Sequence, residues 1–538
     1  MHENRLCTLS LLLLAAVHGL TQQTPTPAAA PWWHETSALA DNSMQGRDTG
    51  SEAYERAAKY VAAKFAAAGL KPAGDNGTFF QRVPMHQIDL DVAHSSVEIV
   101  HNPAAAGAAW SLPLQLLQQV TLSPREDLPP LIEAPMIFIG YGLPTPDLDL
   151  HGKVAVFFNS TPKSLSPADR ETFPARRLRA LSQSGAAAVL SIDNPNAIEP
   201  FHWPAAYART VTIATGATAR ATAGPIMLRI SSEAAANLLA ASGHEIGDIR
   251  RDGAAGDLLP NFPLKDSLRI HLSTTAEDIS SPNLLAILPG SAASEKEPAD
   301  AAEFVALSAH LDGYGFGTPV LGDRLYNGAL DDAAYVATLL ELARKEAARP
   351  PAGRPRRSLL FCIFTGEEKG LLGSAYFTEH PTVPITHIVA DLNLDQLRPI
   401  FPLRILTVEG LTDSTLGDTA RTVARKYSIE LRPDLEPERN LFRRADNYNF
   451  VRVGVPIASF IFGYNRGTPE EATYRDWYAR GYHKPQDDLT TPIDWGAAVT
   501  FNDFFRDLTR AVADAATRPA WSPTSPYAPT KTAAHPHP

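Results

Sequence analysis

From Ser281 onward the sequence alternates short, almost purely apolar runs with stretches whose apolar residues recur at helical spacing. A run without polar residues on either face must be covered on both faces, so this alternation leaves little but a mostly parallel sheet with helices on each side. The runs are Phe304 to Ser308, Leu359 to Phe364, His387 to Leu394, Leu403 to Val408 and Val455 to Phe462. Between the first two, Tyr335 to Lys345 places Val336, Leu339, Leu340 and Ala343 on one helical face. The expected fold class is α/β, a three-layer, mostly parallel sheet flanked by helices.

The 538 residues exceed one such domain and suit about three domains, or two with a large insertion. At the start, Arg5 precedes an apolar run from Leu9 to Val17 that is too short to span a bilayer. Small residues follow, so residues 1–22 read as a secretory signal peptide, cut between Ala16 and Gln23. This implies a secreted or periplasmic protein. No later stretch is long and apolar enough for a transmembrane helix. Residues 23–33, rich in Pro, Thr and Ala, read as a linker. Residues 34–124 read as the N-terminal part of the main domain, with a helix from Ser51 to Leu70 ended at Gly69, then strands and turns. Residues 125–275 have a different texture and read as an insertion. Residues 276–515 carry the alternating pattern, and 516–538 read as a disordered tail.

A net charge of -11 argues against a nucleic-acid partner, which needs a basic face. Of two cysteines, Cys7 lies in the signal peptide, so Cys362 stands alone without a disulfide partner. It sits inside an apolar run and reads as a small buried hydrophobe rather than a nucleophile.

In an open α/β sheet, function gathers beyond the carboxyl ends of the strands. Metal-type residues fall there repeatedly. The first run ends in Ala309-His310-Leu311-Asp312, the second in Thr365-Gly366-Glu367-Glu368 and the third in Asp395. Asn327 to Asp332 forms a turn that opens a helix, and His483 follows Gly481-Tyr482 in a late loop. Singly, each has an ordinary reading: His310 and His483 as structural histidines, Asp331 and Asp332 as helix caps, Glu367-Glu368 as a solvated loop, Asp395 as a cap or an arginine partner. Jointly those readings leave the coincidence unexplained. Histidine nitrogen and carboxylate oxygen are the ligands a catalytic zinc takes when thiolate is absent. Five of them, with one shared carboxylate, would make two sites of three ligands each.

The motifs SAHLDG, NGALDDAA, FTGEEKGLLGS, NLDQ and GYHKPQDD, in this order, resemble those of the M28 family of two-zinc exopeptidases, which includes secreted bacterial aminopeptidases and glutamate carboxypeptidase. Residues 125–275, with GYG, HGKVAVFF and SGAAAVL, resemble the protease-associated (PA) domain, a β-rich insertion in several secreted peptidases. The first resemblance implies two zinc ions and a peptide substrate. It implies Asp331 as the bridging ligand, Glu368 and His483 completing one site, and His310 and Asp395 the other. Glu367 would be the general base, Tyr482 an oxyanion donor, and Asp312 the partner orienting His310. Phe442 to Asn447 resembles the family's R-S-D-H stretch but departs from it at Ala445 and Asn447, and Arg444 there could hold a substrate terminus.

An aminopeptidase is favoured, because a bound amino terminus needs carboxylates near the metals, and Glu367 and Asp395 could serve. Three alternatives remain. A glutamate carboxypeptidase-like enzyme needs pocket arginines, with Arg443 and Arg444 the obvious candidates. A glutaminyl cyclase-like acyltransferase uses one zinc, and a non-catalytic binding relative predicts a broken ligand set. The intact set of five argues against the last two.

Overall fold

The computed structural model describes residues 24–101, 109–145, 147–197, 199–214, 224–240, 242–291 and 303–529. The expected signal peptide and the last part of the expected tail, residues 530–538, lie outside them.

The strand Ser358–Phe364 shows how the large sheet is built. All of its residues are buried. Leu359, Phe361 and Ile363 join one apolar cluster, and Leu360, Cys362 and Phe364 join another on the opposite face, as the two-residue period of a strand requires. The first cluster runs on into the helices Glu52–Ala67, Ala334–Ala347, Leu416–Ala424 and Trp495–Asp514. The second runs into Leu372–Glu379 and Asn447–Arg452. The result is the expected three layers. Cys362 is free and buried in the second cluster, and burial pushes its thiol well above the usual range.

From edge to edge the large sheet runs Glu430–Arg432, Ile405–Glu409, Ile457–Phe462, Ile388–Asn393, Phe304–His310, Ser358–Phe364, Thr274–Leu288, Phe80–Leu90 and Arg209–Ile213. The four strands from Ile457–Phe462 to Ser358–Phe364 are mutually parallel. Beyond Ser358–Phe364 the pairing becomes antiparallel, and Ile405–Glu409 is antiparallel to its inner neighbour. The edge strand Glu430–Arg432 is again parallel to Ile405–Glu409, so the parallel pairs are the central four strands, which helices cover on both faces, and this outer pair.

A second sheet of eight strands, from Trp110–Leu114 at one edge to Val120–Leu122 at the other, has its own apolar core. Its centre is parallel across Leu131–Ile139, Val154–Phe158, Ala188–Ile192 and Ile226–Ile230.

Three expected boundaries differ. The second unit takes up Ser96–His101 and Trp110–Leu114 as strands, so it begins well before residue 125. It also returns Arg209–Ile213 to the large sheet, against Phe80–Leu90. Alternation in a sequence reports a strand and not the sheet that receives it. The expected linker ends inside the helix Ala30–Leu39, whose Trp32 and Trp33 are buried. Proline and alanine made that stretch look structureless, although proline is well suited to a first helical turn. The expected disordered tail is packed as far as residue 529: Trp521 Nε1 donates to Gly454 O at 2.9 Å, and Tyr527 stacks on Phe442 at 4.3 Å.

Trp32 Nε1 also donates to Ala334 O at 2.8 Å, tying this N-terminal helix to the start of the helix Ala334–Ala347. Trp32→Ala is therefore expected to cost ~3–5 kcal/mol of stability, read as a lower urea midpoint at unchanged slope. An unchanged midpoint would show that the segment is not part of the cooperative unit.

Candidate metal centre

His310 is the last residue of Phe304–His310, and Glu367, Glu368 and Asp395 follow the carboxyl ends of the two strands that flank it. Asp331 lies in the turn before Ala334–Ala347, and His483 follows the helix Pro469–Arg480. The structure brings all five expected ligands together in two trios that share Asp331: His310, Asp331, Asp395, and Asp331, Glu368, His483. His310 Nε2 lies 3.2 Å from Asp331 Oδ1 and 4.0 Å from Asp395 Oδ1. His483 Nε2 lies 3.4 Å from Asp331 Oδ2 and 3.3 Å from Glu368 Oε2. Ligand bonds of 2.0–2.1 Å to a tetrahedral zinc put neighbouring donor atoms about 3.3 Å apart. All but the His310–Asp395 separation are close to that spacing.

The hydrogen bonding of the trios also fits a cation. His310 Nδ1 lies 3.1 Å from the Asp312 carbonyl, which can only accept, so Nδ1 carries the proton. Nε2 then meets Asp331 Oδ1 at 3.2 Å, as an N–H donor in the charged ring or as a lone pair open to a cation in the neutral one. Asp331 Oδ2 and Asp395 Oδ1 are buried with no hydrogen-bond donor. Burial, reinforced by Asp331, pushes the Glu368 carboxyl up to about 7. Asp395 is pushed up to about 6 by burial, with His310 opposing and Asp331 adding. Burial works against a charged His310, but the carboxylates of Glu367, Asp331 and Asp332 hold its pKa well above the ordinary value. The donor set is nitrogen and oxygen throughout, as zinc accepts.

The helix-cap reading of Asp331 and Asp332 does not hold, for neither makes a side-chain cap. Asp332 instead accepts from the N–H groups of His310 and Gln396, each at 3.3 Å. Asp312 differs from expectation. It meets His310 through its backbone carbonyl, while its carboxylate lies 3.9 Å from the ring. That carboxylate accepts from Glu367 N at 3.0 Å, Glu368 N at 3.3 Å and Thr49 Oγ1 at 2.9 Å. It holds the turn of the two glutamates, which is why it sits in a cluster already rich in acids.

Several positioning residues carried little sequence signal. Asp487, quoted in a motif but given no role there, accepts from Leu330 N at 2.9 Å and Asp331 N at 3.0 Å. Arg47 is fully buried and donates to the carbonyls of Leu311, Leu39, Asn327 and Gly328 at 2.7–2.8 Å. Nothing near Arg47 in the chain announces this. Gly328 has φ of +61°, and a Cβ there would stand 2.4 Å from Asp331 O. Tyr314 OH lies 3.0 Å from His483 Nδ1. His483 itself has φ of +54°, a left-handed conformation that costs a non-glycine residue ~1–3 kcal/mol and persists where surroundings enforce it.

Glu367, Tyr482 and Arg444 line a cavity of about 420 Å³ together with Asp331, Glu368, Asp395 and His483. Tyr482 is buried with its ring stacked on His483 at 3.6 Å. Arg444 is pinned by an ion pair with Glu199 of the second unit. The same arm packs His202 against Tyr482 at 5.6 Å and lets Tyr207 OH accept from Lys369 Nζ at 2.6 Å.

A sequence model of Peptidase family M28 matches residues 283–509. Aminopeptidase YwaD of Bacillus subtilis strain 168 is 24% identical over 192 residues, 35% of this chain and 36% of that protein. A protein of Pyrenophora tritici-repentis named probable zinc metalloprotease is 32% identical over 126 residues, 22% of this chain and 27% of that protein. The matched stretches thus span well under half of these relatives. The solved structure of an aminopeptidase from Aneurinibacillus sp. strain AM-1 superposes with a TM-score of 0.56 at 17% identity, covering 89% of this chain and 92% of that one. At that identity the likeness establishes the fold.

Asp487→Ala keeps all five ligand residues but frees the turn that presents Asp331. It is expected to weaken zinc binding about 10- to 100-fold, measured by competition with a chromophoric chelator. Wild-type affinity in this variant would mean that the turn holds itself.

Proposed function

Because residues 283–509 belong to peptidase family M28, we propose that this chain is a secreted, two-zinc aminopeptidase that hydrolyses the peptide bond next to a free amino terminus. The observation that carries this reading is the pair of donor trios sharing Asp331. His310, Asp331 and Asp395 would hold one ion, and Asp331, Glu368 and His483 the other. Bound zinc supplies Lewis acidity, polarising a carbonyl oxygen and lowering the pKa of a coordinated water towards about 7.

The chain's own residues do the rest. Glu367, its N–H held by Asp312, faces the cavity, takes the proton of the attacking water at its carboxylate and delivers it to the leaving amine. Burial and the neighbouring acids push this carboxyl well above the usual range, the direction a proton carrier needs. Tyr482 is kept protonated by burial and donates its hydroxyl to the oxyanion that develops on the scissile carbonyl. Glu367 and Asp395 offer negative charge to the substrate ammonium. The choice of amino over carboxyl terminus is supported by the aminopeptidase names among the relatives. Export rests on the apolar run Leu9 to Val17 behind Arg5. The second unit is read as a PA-type domain, and its Glu199 and His202 contact Arg444 and Tyr482, two residues that line the substrate cavity.

Purified protein is expected to contain about two zinc ions per chain and to release the chromophore of aminoacyl-nitroanilides but not of their N-acetylated forms. Glu367→Gln is expected to retain the metal and lose about 10²- to 10⁴-fold in kcat. One zinc or none, with no hydrolysis in zinc-supplemented buffer, would overturn the reading. Cleavage of N-blocked peptides from the carboxyl end would move it to a carboxypeptidase.

A further inference from the structure

His483 is presented by a loop rather than by a strand end. It follows the helix Pro469–Arg480 with a left-handed φ of +54°, which its surroundings must enforce. Those surroundings are two tyrosine rings. Tyr482 stacks on the imidazole at 3.6 Å, and Tyr314 packs against it at 4.7 Å with its hydroxyl 3.0 Å from Nδ1. With Nδ1 turned to Tyr314, Nε2 faces Asp331 and Glu368. Each tyrosine is backed in turn by the second unit. His202 meets Tyr482 edge-on at 5.6 Å, and Tyr207 packs against Tyr314 at 5.7 Å. Both come from one arm, the segment that leaves the second sheet after Ala188–Ile192 and enters the large sheet as Arg209–Ile213.

The same arm reaches the neighbouring ligand. Lys369 adjoins Glu368 in the chain, and its ammonium lies 5.2 Å from the Tyr207 ring centre and 5.0 Å from that of Tyr314. It donates to Tyr207 OH at 2.6 Å and to Gly313 O at 3.2 Å, and it pairs with Asp48 at 3.1 Å. The arm is tied down at both ends. Trp203 Nε1 donates to Asp193 Oδ2 at 2.7 Å, and Asp193 pairs with Arg229 of the strand Ile226–Ile230. Arg209 pairs with Asp48 and Asp89. The other trio is supported differently. His310 ends a central strand, its ring rests on the Asp312 carbonyl and its N–H on Asp332, and Asp395 follows Ile388–Asn393. None of these supports belongs to the arm.

Groups that orient a metal-bound histidine bear strongly on metal affinity. Resting on the two-zinc reading above, we infer that the arm of the second unit is a working part of the zinc site formed by Asp331, Glu368 and His483, and not of the site formed by His310, Asp331 and Asp395. His202 and Tyr207 are positioning residues that hold His483, through Tyr482 and Tyr314, in the geometry that retains its ion.

The test follows release of both ions from the zinc-loaded full chain into excess chromophoric chelator. His483→Ala removes a ligand, and the release rate of the ion it retains identifies the His310 trio. His202→Ala and Tyr207→Phe are each expected to speed the release of one ion per chain by about 3- to 10-fold. Tyr314→Phe, which removes the direct partner of His483, should do so by about 10- to 100-fold. The other ion should leave all three variants at the rate seen in His483→Ala. Tyr207→Phe deletes one hydroxyl and keeps the ring, so it carries the test even where His202→Ala fails to fold. Unchanged release of both ions overturns the assignment and leaves the two-zinc reading intact. Equal acceleration of both, the mark of general destabilisation, or acceleration of the His310-trio ion alone, does the same. Fewer than two ions in the wild-type chain overturns the two-zinc reading, and the assignment with it.

Discussion

Asp331 is the element on which the centre depends. Its two carboxylate oxygens face different histidines, Oδ1 towards His310 and Oδ2 towards His483. Those histidines lie 173 positions apart in sequence, on a strand end and in a loop. Neither could be presented to a shared carboxylate unless the turn carrying Asp331 were rigid. Asp487 holds that turn from one side through Leu330 N and Asp331 N. Arg47 holds it from the other through the carbonyls of Asn327 and Gly328. Gly328 permits the close approach to Asp331 O that a side chain would block. The three constraints act on five consecutive residues, and the two donor trios inherit their spacing from them.

Electrostatics explains why so many acids can share this region. Asp312, Asp332 and Asp487 are each spent on backbone N–H groups, fixed donors that oppose the upward push of burial on Asp332 and Asp487. Asp331, Glu368 and Asp395 are not satisfied in this way, and the last two are pushed up by burial. The division separates acids that build the site from acids proposed to hold a cation. Beside the cavity the signs reverse: Glu199 reaches across from the second unit to pair with both Arg439 and Arg444. The second unit thus bears on the charge of the cavity through Arg444, which lines it.

The three-layer core and the ligand set were legible because both leave local marks. A fully buried strand such as Ser358–Phe364 must be apolar along its length, and catalytic residues in such folds follow strand ends. Asp312 was legible as a participant but not in its role, since a carboxylate near a histidine gives no hint that its acceptors will be used by Glu367 and Glu368. Arg47 and Glu199 were not legible at all. Each acts on groups far away in sequence, and an isolated Arg or Glu looks the same whether it is solvated or buried.

The sequence by itself determined the layered α/β core, the helix Glu52–Ala67 behind its Ser51 cap, and which residue types stand at the carboxyl ends of the parallel strands, because periodicity and ligand chemistry are local properties. Tertiary structure alone decided that Asp331 faces two histidines and that strands from residue 96 onward join the second sheet. It also decided that Trp32 belongs to the core and that Glu199 pairs with Arg439 and Arg444. These depend on which distant groups meet and on how many donors and acceptors remain once they have met, and no local pattern in a chain records that remainder.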